Sequence, residues 1–472
     1  MRATLDDIAR AAEGRLVAGR AASPRAVERV TTDSRAISPG CLFVALRGDR
    51  FDGHDFVPAA LRAGAAAALV SRRPEGLENG HALVLVDDTL AAYQRLAAWW
   101  RAQVQATVVG VTGSNGKSTT REMLALLLGA LGPAMCSEAN HNNHIGVPQT
   151  LLRIRPEHRF AVVEMGVNHF GEMAPLASCA RPNIGLITNI AAAHVEAFGD
   201  ESGVAREKAV MLDYLAPGGL AVLCADEPWS RGIAERHQGR KVTFGLAREA
   251  DWRATGIREA NGGVRFRVAY RSAGHGRFAG PCEVRVPAPG RWQVLNGLAA
   301  IAAAAELGLS LSLAAERLAG FVPLSLRMNV RRVGGMTVLM DCYNANPASM
   351  LCAVGELGRR RGRRVAVLGD MLELGQASEA AHRRVGAAVA AARIGLLCAL
   401  GNQAAAIARE AIEGGLDPAN VLSTAEPGEA IAWLRPRLRP RDTVLFKASR
   451  GMRLEQVAQA VLEEPSAGGN GR

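Results

Sequence analysis

The sequence predicts an α/β protein of three consecutive domains, and three observations lead to this fold class. The chain has 472 residues, which suits two to four domains. Short β-branched apolar runs alternate with longer amphipathic stretches, the pattern of mostly parallel sheets covered by helices. One such run, residues 107–112, passes through a glycine turn into a helix, as phosphate-binding sheets do. We therefore expect domains at 1–106, 107–322 and 323–472.

The first domain is predicted to be a small α/β unit. Thr4 and Asp7 form a capping-box pattern that opens a helix through Ala12. Residues 30–35 are interpreted as a polar loop with hydroxyl groups and one guanidinium. The other predicted elements are a strand at 40–46, a helix at 57–63, strands at 67–71 and 83–86, and an amphipathic helix at 89–104.

The central domain opens with a candidate phosphate-binding loop. Its glycines let backbone N–H groups approach an anion, and the helix N-terminus adds partial positive charge. Lys117 can reach terminal phosphates, and a hydroxyl group at Ser118 or Thr119 can bind magnesium. The common P-loop has a glycine where Val111 stands, so this loop follows a shorter Thr-Gly-x-x-Gly-Lys-Ser form. The predicted phosphate-binding residues are Gly113, Ser114, Asn115, Gly116, Lys117, Ser118 and Thr119.

Further strands of the central domain deliver polar side chains to the same edge. Glu164 comes near the end of the apolar run 160–166, and His194 closely follows the run 184–190. Ligands of parallel sheets gather at the carboxyl ends of the strands, so these residues and the phosphate loop should share one rim. Glu164 is an oxygen ligand suited to magnesium. The remaining predictions are a strand at 220–223, an antiparallel addition over 241–286 and an Ala-rich helix at 296–307.

The last domain is predicted to be another α/β sheet with helices between its strands. Asp370, Gly401 and Lys447 each follow the end of a predicted strand. The tail, residues 465–472, has the composition of a disordered terminus. The predicted strands lie at 336–340, 364–368, 395–400 and 443–446.

Composition restricts the classes of partner. The net charge of +11 favours anionic partners, and nucleotides and carboxylates satisfy it as well as nucleic acid does. The densest basic run, residues 359–364, is interpreted as a solvated helix end, because no aromatic or motif support for nucleic-acid binding accompanies it. The eight cysteines are scattered without metal spacing, and most lie beside apolar residues, which indicates buried thiols in a reducing cytoplasm. No uncharged apolar run reaches about 18 residues, so no integral membrane segment is expected. A monomer is the default.

Seven motifs spread between Thr31 and Glu455 carry a resemblance to a known family. The chain resembles the ATP-dependent Mur ligases over nearly its whole length. Two of the stretches, at 341–347 and 369–375, look specific to the family member that uses D-alanyl-D-alanine. The motifs are Thr112-Gly-Ser-Asn-Gly-Lys-Ser-Thr119, Asn140-His-Asn-Asn-His-Ile-Gly-Val-Pro148, Glu164-Met-Gly166, Thr188-Asn-Ile-Ala-Ala-Ala-His194, Asp341-Cys-Tyr-Asn-Ala-Asn-Pro347, Gly369-Asp-Met-Leu-Glu-Leu-Gly375 and Lys447-Ala-Ser-Arg-Gly-Met452.

The resemblance implies a reaction and an arrangement of domains. ATP would phosphorylate the terminal carboxylate of UDP-N-acetylmuramoyl-tripeptide, and the amine of D-alanyl-D-alanine would attack the acyl phosphate. The products would be an amide, ADP and phosphate, formed in the cytoplasm during peptidoglycan precursor synthesis. The first domain would bind uridine diphosphate, the central domain would be a P-loop-type mostly parallel sheet, and a Rossmann-like C-terminal domain would bind nucleotide and the incoming dipeptide.

The resemblance also assigns roles residue by residue. It implies two Mg²⁺ ions and a carbamylated lysine, N6-carboxylysine, at position 208. Three positions depart from the family pattern, because Val210, Trp292-Gln293 and Leu326 replace an acidic residue, His-Asn and Gly. The implied roles are catalysis by Lys117, Glu164, His194 and Lys208; metal binding by Ser118, Thr119, Glu164, His194 and carbamylated Lys208; contacts of Asn296 with adenine, Arg327 with phosphate and Asp341 with ribose; binding of the UDP substrate by Ser34, Arg35, Asn142 and Asn143; and ordering of dipeptide and nucleotide by Tyr343, Asn344 and Asn346.

Two alternatives stay open at this point. A folylpolyglutamate-type ligase or another Mur-type ligase would share the architecture. The folylpolyglutamate-type ligase, however, lacks a uridine-binding first domain such as residues 1–106. A non-catalytic nucleotide-binding switch would bind ATP without releasing ADP in response to an amine. The presence of Lys117, Glu164, His194 and Lys208 together argues against it.

Overall fold

A computed structural model describes residues 1–17, 26–48, 51–77, 80–192, 195–260, 262–270 and 281–463. Within these ranges three sheets of five, nine and six strands follow one another along the chain. The three-sheet α/β fold class predicted from the sequence is confirmed. His194 and the tail 465–472 lie outside the described residues.

The first sheet has the strand order β1-β5-β4-β3-β2, with only β1 antiparallel to its neighbour. Thr4 and Asp7 form the predicted capping box at the first helix. The prediction of a loop at 30–35 was partly wrong. Val30 and Thr31 form a short strand that pairs with β3, and Ser34–Ala36 form a 3₁₀ turn. The elements are α1 (Leu5–Ala11), β1 (Arg15–Val17), β2 (Val30–Thr31), β3 (Leu42–Val44), α2 (Val57–Arg62), β4 (Ala67–Val70), β5 (Leu83–Leu85) and α3 (Thr89–Gln103).

Helix α3 joins the first unit firmly to the next. Tyr93, Leu96 and Trp100 along one face belong to a buried apolar cluster that continues into the central unit. The indole N–H of Trp100 donates to the Ile154 carbonyl at 2.8 Å, so the polar edge of this ring is satisfied across the boundary. The first two units therefore share one hydrophobic core.

The central sheet has the strand order β14-β13-β12-β11-β10-β9-β6-β8-β7. The seven neighbouring strands β7, β8, β6, β9, β10, β11 and β12 run parallel. Four of them, β6, β8, β9 and β10, are the short apolar runs that the sequence predicted as buried strands of a mostly parallel sheet. The elements are β6 (Thr107–Thr112), α4 (Lys117–Leu128), β7 (Ala134–Cys136), α5 (Gly146–Leu152), β8 (Phe160–Glu164), α6 (Met173–Ala180), β9 (Ile184–Ile187), α7 (Val195–Phe198), α8 (Glu201–Ala209), β10 (Leu220–Cys224), α9 (Pro228–Arg236), β11 (Arg240–Gly245), β12 (Trp252–Ala260), β13 (Gly263–Tyr270), β14 (Cys282–Val286), α10 (Trp292–Glu306) and α11 (Leu311–Ala319).

The antiparallel addition predicted for residues 241–286 is smaller than expected. β11 and β12 pair in parallel, and the antiparallel pairs are β12 with β13 and β13 with β14. Alternation of polar and apolar residues indicates that one face of a strand is exposed to solvent. It does not indicate the direction of the strand, because parallel and antiparallel strands near a sheet edge can both have one exposed face. Helix α10 also begins four residues before the predicted Asn296, at Trp292.

The third sheet has the strand order β15-β16-β20-β17-β18-β19, in which only β15 is antiparallel. Apolar clusters cover both of its faces. The four predicted strands are present, and the structure adds the two edge strands β15 and β19. The elements are β15 (Asn329–Val333), β16 (Met336–Met340), α12 (Pro347–Gly358), β17 (Arg364–Gly369), α13 (Ser378–Ala391), β18 (Leu396–Leu400), α14 (Ala405–Glu413), β19 (Val421–Thr424), α15 (Pro427–Leu434), β20 (Thr443–Lys447) and α16 (Leu454–Leu462).

Asp370 has a structural role at the carboxyl end of β17. Its Oδ1 accepts hydrogen bonds from the backbone N–H groups of Gln403 and Ala404, at 3.0 and 2.7 Å. Gly401 has φ of +123°, and a Cβ there would overlap the Asp370 carboxylate. The buried carboxylate therefore ties the loop after β18 to the end of β17.

We expect Asp370→Ala to destabilise the C-terminal unit by roughly 2–4 kcal/mol, because two buried N–H groups lose their acceptor. Asp370→Asn keeps an acceptor oxygen and serves as the matched control, with a smaller loss. Urea denaturation of both variants measures the difference. Equal stability of Asp370→Ala and the unmodified chain would contradict this role.

Candidate active site

The loop between β6 and α4 has the conformation that the glycine pattern predicts. Gly113 and Gly116 have φ of +143° and +80°, a region that side chains rarely adopt. A Cβ at Gly113 would overlap Thr188 Oγ1, and one at Gly116 would overlap Asn296 Oδ1. Only glycine lets the loop pass this close to its neighbours, so the backbone N–H groups at the start of α4 stay accessible.

The segment after β9 holds the loop in place. Ser114 Oγ donates to the Ala191 carbonyl and accepts from the Ala191 N–H, both at 2.9 Å. The Asn189 side chain accepts from the Asn115 N–H at 3.1 Å and donates to the Asn115 carbonyl at 3.0 Å. This reciprocal pairing fixes the phosphate loop before any ligand arrives, and preorganisation lowers the cost of binding.

Glu164 ends β8 at the floor of the site, with 2% of its surface exposed. One carboxylate oxygen accepts from Arg121 Nη1 at 3.0 Å and the other from Asn142 Nδ2 at 2.9 Å. Arg121 lies one turn after Lys117 on α4, is equally buried, and also donates to the Ala139 carbonyl. Arg121 is not among the site residues predicted from the sequence. Its spacing from Lys117, which places both on one helix face, was the available signal.

Two lysines approach each other near this carboxylate. Lys117 Nζ donates to the Gly113 carbonyl at 2.7 Å, and burial lowers the pKa of Lys117. Lys208 lies in α8 with 2% exposure. Burial, and then the charge of Lys117, hold the pKa of Lys208 well below its usual value. Among the described residues no side chain accepts a hydrogen bond from the Lys208 ammonium, and none of their carboxylates lies within ion-pair distance of it.

The neighbouring Glu207 is used differently. Its buried carboxylate accepts from the backbone N–H groups of Gly171 and Met173, at 3.0 and 2.7 Å. It therefore caps α6 and orders the loop that precedes it. No group of three His, Cys, Asp or Glu side chains suited to a metal ion occurs among the residues that the structure describes, a search that leaves out His194.

The third unit contributes an arginine and an aromatic ring to the phosphate loop. Arg327 Nη2 donates to Ser118 Oγ at 2.8 Å, and its guanidinium lies 3.8 Å from the Tyr343 ring centroid. Asn346 caps α12 through the Ser349 N–H and also donates from Nδ2 to Asn115 Oδ1 at 2.8 Å. These bonds hold the central and C-terminal units together across the site.

Behind these residues lies a buried ion pair of the C-terminal unit. Lys447 Nζ donates to Asp341 Oδ2 at 2.7 Å and to the Asn344 carbonyl at 2.9 Å. Asp341 Oδ1 accepts the Met328 N–H at 3.0 Å. Asp341 thus orients the segment that carries Arg327 while one of its sides faces the cleft.

A cleft of about 1030 Å³ lies between the central and C-terminal units. Trp292 and Gln293 line it beside Asn296, whose Nδ2 donates to Gln293 Oε1 at 2.9 Å. Lys208 and Gly113 are not among the lining residues. The predicted residues that line the cleft are Ser114, Asn115, Gly116, Lys117, Ser118, Thr119, Asn142, Asn143, Glu164, Asn296, Arg327, Asp341, Tyr343, Asn344 and Asn346.

Ser34 and Arg35 are placed elsewhere. They form a 3₁₀ turn of the first unit and do not line the cleft. The exposed Arg35 guanidinium pairs with Asp33 at 2.9 Å, and this contact lowers the pKa of Asp33 to about 2. Sequence reasoning also missed cleft-lining residues such as Phe170, Cys352 and Leu372, because apolar residues near a loop carry no pattern that distinguishes a ligand wall.

The bridge from Asn346 to Asn115 gives a clean test of contact between the units. We expect Asn346→Asp to keep the α12 cap, because an acceptor oxygen remains, and to lose the donor to Asn115. Nucleotide affinity should fall about fivefold or more, because one hydrogen bond between the units is lost and a negative charge is added beside the phosphate loop, while the thermal midpoint should fall only slightly. Calorimetric titration with ADP measures the affinity. Asn346→Ala is the comparison, and it should lower both quantities since the cap is lost as well.

Comparisons with known proteins identify the family of this chain. Residues 26–101 match the model described as Mur ligase family, catalytic domain, residues 111–304 match the Mur ligase middle domain, and residues 326–450 match the Mur ligase, glutamate ligase domain. The three models follow one another along the chain in the same order as its three sheets, which defines a three-unit α/β ligase architecture. The chain belongs to the Mur ligase family.

Its similarity to characterised members extends over nearly the whole chain. It is 38% identical to the UDP-N-acetylmuramoyl-tripeptide–D-alanyl-D-alanine ligase of Escherichia coli (strain K12), over 93% of this chain and 94% of the relative. The ligase of the same name from Bacillus subtilis (strain 168) is 33% identical, with 95% and 97% covered.

A solved structure of a family member has the same fold over nearly the whole chain. A crystal structure of MurF from Acinetobacter baumannii superposes with a TM-score of 0.88 at 30% identity, covering 98% of this chain and 99% of that one. Mycobacterium tuberculosis folylpolyglutamate synthase, at 16% identity and a TM-score of 0.62, shares the fold alone over 80% of this chain. None of the described helices is long and apolar enough to cross a bilayer.

Proposed function

We propose that this protein joins D-alanyl-D-alanine to UDP-N-acetylmuramoyl-tripeptide, with ATP converted to ADP and phosphate. The observation that carries the proposal is the near-complete alignment with ligases of this one specificity. The eight free cysteines suit the reducing cytoplasm, where we place the reaction. We also propose domain boundaries near 106 and 322, and the strongly exposed Val322 supports the second.

The phosphate loop and Arg327 are proposed to hold the triphosphate. The N–H groups at the start of α4, Lys117 and Arg327 surround one position with positive charge. That charge stabilises the transferring phosphoryl group, which carries negative charge on three oxygens. We assign the adenine to Asn296 with Gln293 and Trp292, and the ribose to Asp341.

The chemistry of the side chains fits magnesium. Glu164 offers a carboxylate and Ser118 and Thr119 offer hydroxyl groups, the hard oxygen ligands that Mg²⁺ prefers, and all three line the cleft. Bound magnesium would neutralise charge on the phosphates. Arg121 and Asn142 would hold the Glu164 carboxylate in place. We propose that the site binds two magnesium ions and assign His194 to the second.

Lys208 is proposed to be carbamylated. A buried ammonium without an acceptor, beside a second ammonium, is unfavourable in its charged form. Its lowered pKa makes the neutral amine available to react with carbon dioxide. The resulting carbamate is an anionic oxygen ligand, so it would reverse the sign of the charge at this position and complement magnesium.

Amide formation follows from this arrangement in two steps. A carboxylate oxygen of the tripeptide attacks the γ-phosphorus, the bond to the ADP oxygen breaks, and an acyl phosphate forms. The dipeptide amine then attacks the acyl carbon, loses a proton, and phosphate leaves. Negative charge develops beside Lys117 and Arg327 in both steps. The ammonium group of Lys117 and the guanidinium group of Arg327 stabilise it.

The remaining predicted residues are proposed to position substrates. Asn142 and Asn143 line the cleft on the side of the central unit, and Tyr343, Asn344 and Asn346 line it on the opposite side. The tripeptide and the dipeptide would therefore approach from different units. Ser34 and Arg35 would bind the uridine diphosphate end of the substrate, away from the reacting carboxylate.

Phosphate release with each substrate omitted in turn tests the proposed function. The expected result is release only when ATP, UDP-N-acetylmuramoyl-tripeptide and D-alanyl-D-alanine are all present. Release that does not require the dipeptide, or that is supported equally by a folate and glutamate, would contradict the proposal.

A further inference from the structure

The C-terminal unit carries a concentration of arginine that the proposed reaction does not use. Two segments contribute to it, residues 359–364 and residues 435–441, which we call together the arginine edge. Every residue of the first segment except Gly362 is arginine, and in the second arginine alternates with Pro436, Leu438 and Pro440. The sequence analysis interpreted the first segment alone as a solvated helix end.

The fold brings the two segments together. The Arg363 guanidinium donates to the Arg437 carbonyl, and Gly362 lies against the Arg441 carbonyl. The Thr443 N–H donates to the Arg363 carbonyl at 2.9 Å, where β20 begins beside β17. Residues about 75 positions apart in sequence therefore form one continuous basic surface.

Few carboxylates neutralise this surface. Glu356 pairs with Arg359 at 2.7 Å and with Arg360 at 2.5 Å. Glu259 also pairs with Arg359, at 3.2 Å, and Asp442 pairs with Arg363 at 3.4 Å. Among the described residues no carboxylate lies within 4.0 Å of the remaining guanidinium groups of the edge. The exposed arginines without such a partner are Arg361, Arg435, Arg437, Arg439 and Arg441.

The arginine edge lies away from the cleft. Its two segments immediately precede β17 and β20, at the amino ends of these parallel strands. The cleft-lining residues Leu372, Leu374, Ser449, Arg450 and Gly451 follow the carboxyl ends of the same strands. An anion that binds the arginine edge is therefore not the nucleotide, and its binding leaves the cleft open.

We propose that the arginine edge docks the protein on a membrane surface of anionic phospholipid headgroups. Guanidinium groups form paired hydrogen bonds with phosphate, and clustered arginines within a Debye length of an anionic surface are attracted to it together. None of the described helices can insert across the bilayer, so the contact is peripheral. The proposal does not depend on the identity of the ligase substrates.

The details of the edge favour lipid over nucleic acid. Binding of single strands requires free aromatic faces on which bases stack. Within four positions of either segment the sequence has one aromatic residue, Trp433. The Arg437 guanidinium covers its ring at 4.6 Å from the centroid. Trp433 and Leu438 are half-buried against the neighbouring core. The exposed groups of the arginine edge are therefore guanidinium groups, and the Trp433 ring is not free to stack on a base.

Flotation of the full chain with vesicles tests the proposal. We expect binding to phosphatidylglycerol vesicles, little binding to phosphatidylcholine vesicles, and loss of binding as salt rises. The variant combines Arg361→Gln, Arg439→Gln and Arg441→Gln, whose guanidinium groups make no hydrogen bond among the described residues. Its partition onto anionic vesicles should fall at least about tenfold.

A charge-matched variant controls for net charge. The control combines Arg62→Gln, Arg258→Gln and Arg317→Gln. It removes the same number of positive charges, from exposed arginines of the first and central units. This control should bind as the unmodified chain does, and both variants should keep full phosphate release. Equal loss in both variants, binding to neutral vesicles, or tighter binding of a single-stranded RNA than of anionic vesicles would overturn the proposal.

Discussion

Replacing Lys117 by alanine is expected to lower kcat/KM for ATP by roughly 10²–10³-fold, as loss of a preorganised charge at a phosphoryl group does. Lys117 begins α4, and its ammonium group is held over the loop by the Gly113 carbonyl. The triphosphate would replace that carbonyl as its partner. Steady-state kinetics with varied ATP measures the loss.

Stability separates a phosphate role from a structural one. Burial lowers the pKa of Lys117, so its charge is unfavourable in the protein without ligand. Lys117→Ala should therefore leave the thermal midpoint unchanged or raise it, whereas ADP should no longer raise it. Arg317→Ala removes an exposed basic residue of the same unit as a control and should change none of these quantities. A large fall in the midpoint of Lys117→Ala without ligand would show that the residue supports the fold instead.

The second large effect is expected at Lys208. Lys208→Ala should lower kcat by roughly 10²-fold or more, because an anionic ligand beside the phosphates is lost. Added acetate or propionate should restore part of the rate by filling the space of the carbamate. Lys208→Arg keeps a cation that cannot be carbamylated, and neither acid should rescue it.

Acidity should act through the same residue. Carbamylation needs the neutral amine, and burial holds the pKa of Lys208 well below its usual value. As pH falls through that lowered pKa the amine takes a proton, so activity at low bicarbonate should fall on acidification and recover with added bicarbonate. A ¹³C carbamate resonance from labelled bicarbonate, absent in Lys208→Ala, reports the modification directly. Full activity of unsupplemented Lys208→Ala would contradict a metal role.

Much of the fold was predictable because its central strands are short runs of buried β-branched residues. The runs that became β6, β8, β9, β16, β17 and β20 stood out on this basis. β1, β2 and β15 did not, since they are edge strands of two to five residues and β15 reads Asn-Val-Arg-Arg-Val. Their pairing comes from the neighbouring strand and not from their own composition.

The candidate site divides in a similar way. Glycines and a lysine at fixed spacing predicted the phosphate loop, because backbone geometry demands those residue types locally. Arg121 could not be assigned in advance, since its partner Glu164 lies 43 positions further on. The contact of Asn346 with Asn115, across 231 positions, likewise depends on how the units meet. Long-range pairing of polar side chains leaves no periodic signal in a single sequence.

The closeness of Lys117 and Lys208 has a consequence for how the molecule is handled. Two amines that share a partly dry site are unfavourable in their charged forms, so an anion that binds beside them in the ligand-free protein adds to its free energy of unfolding. A nucleotide present at about one hundred times its dissociation constant contributes about 2.7 kcal/mol by mass action. Heat resistance of this chain is therefore a property of the solution as well as of the fold, and a melting curve recorded in phosphate buffer describes a different thermodynamic species from one recorded in its absence.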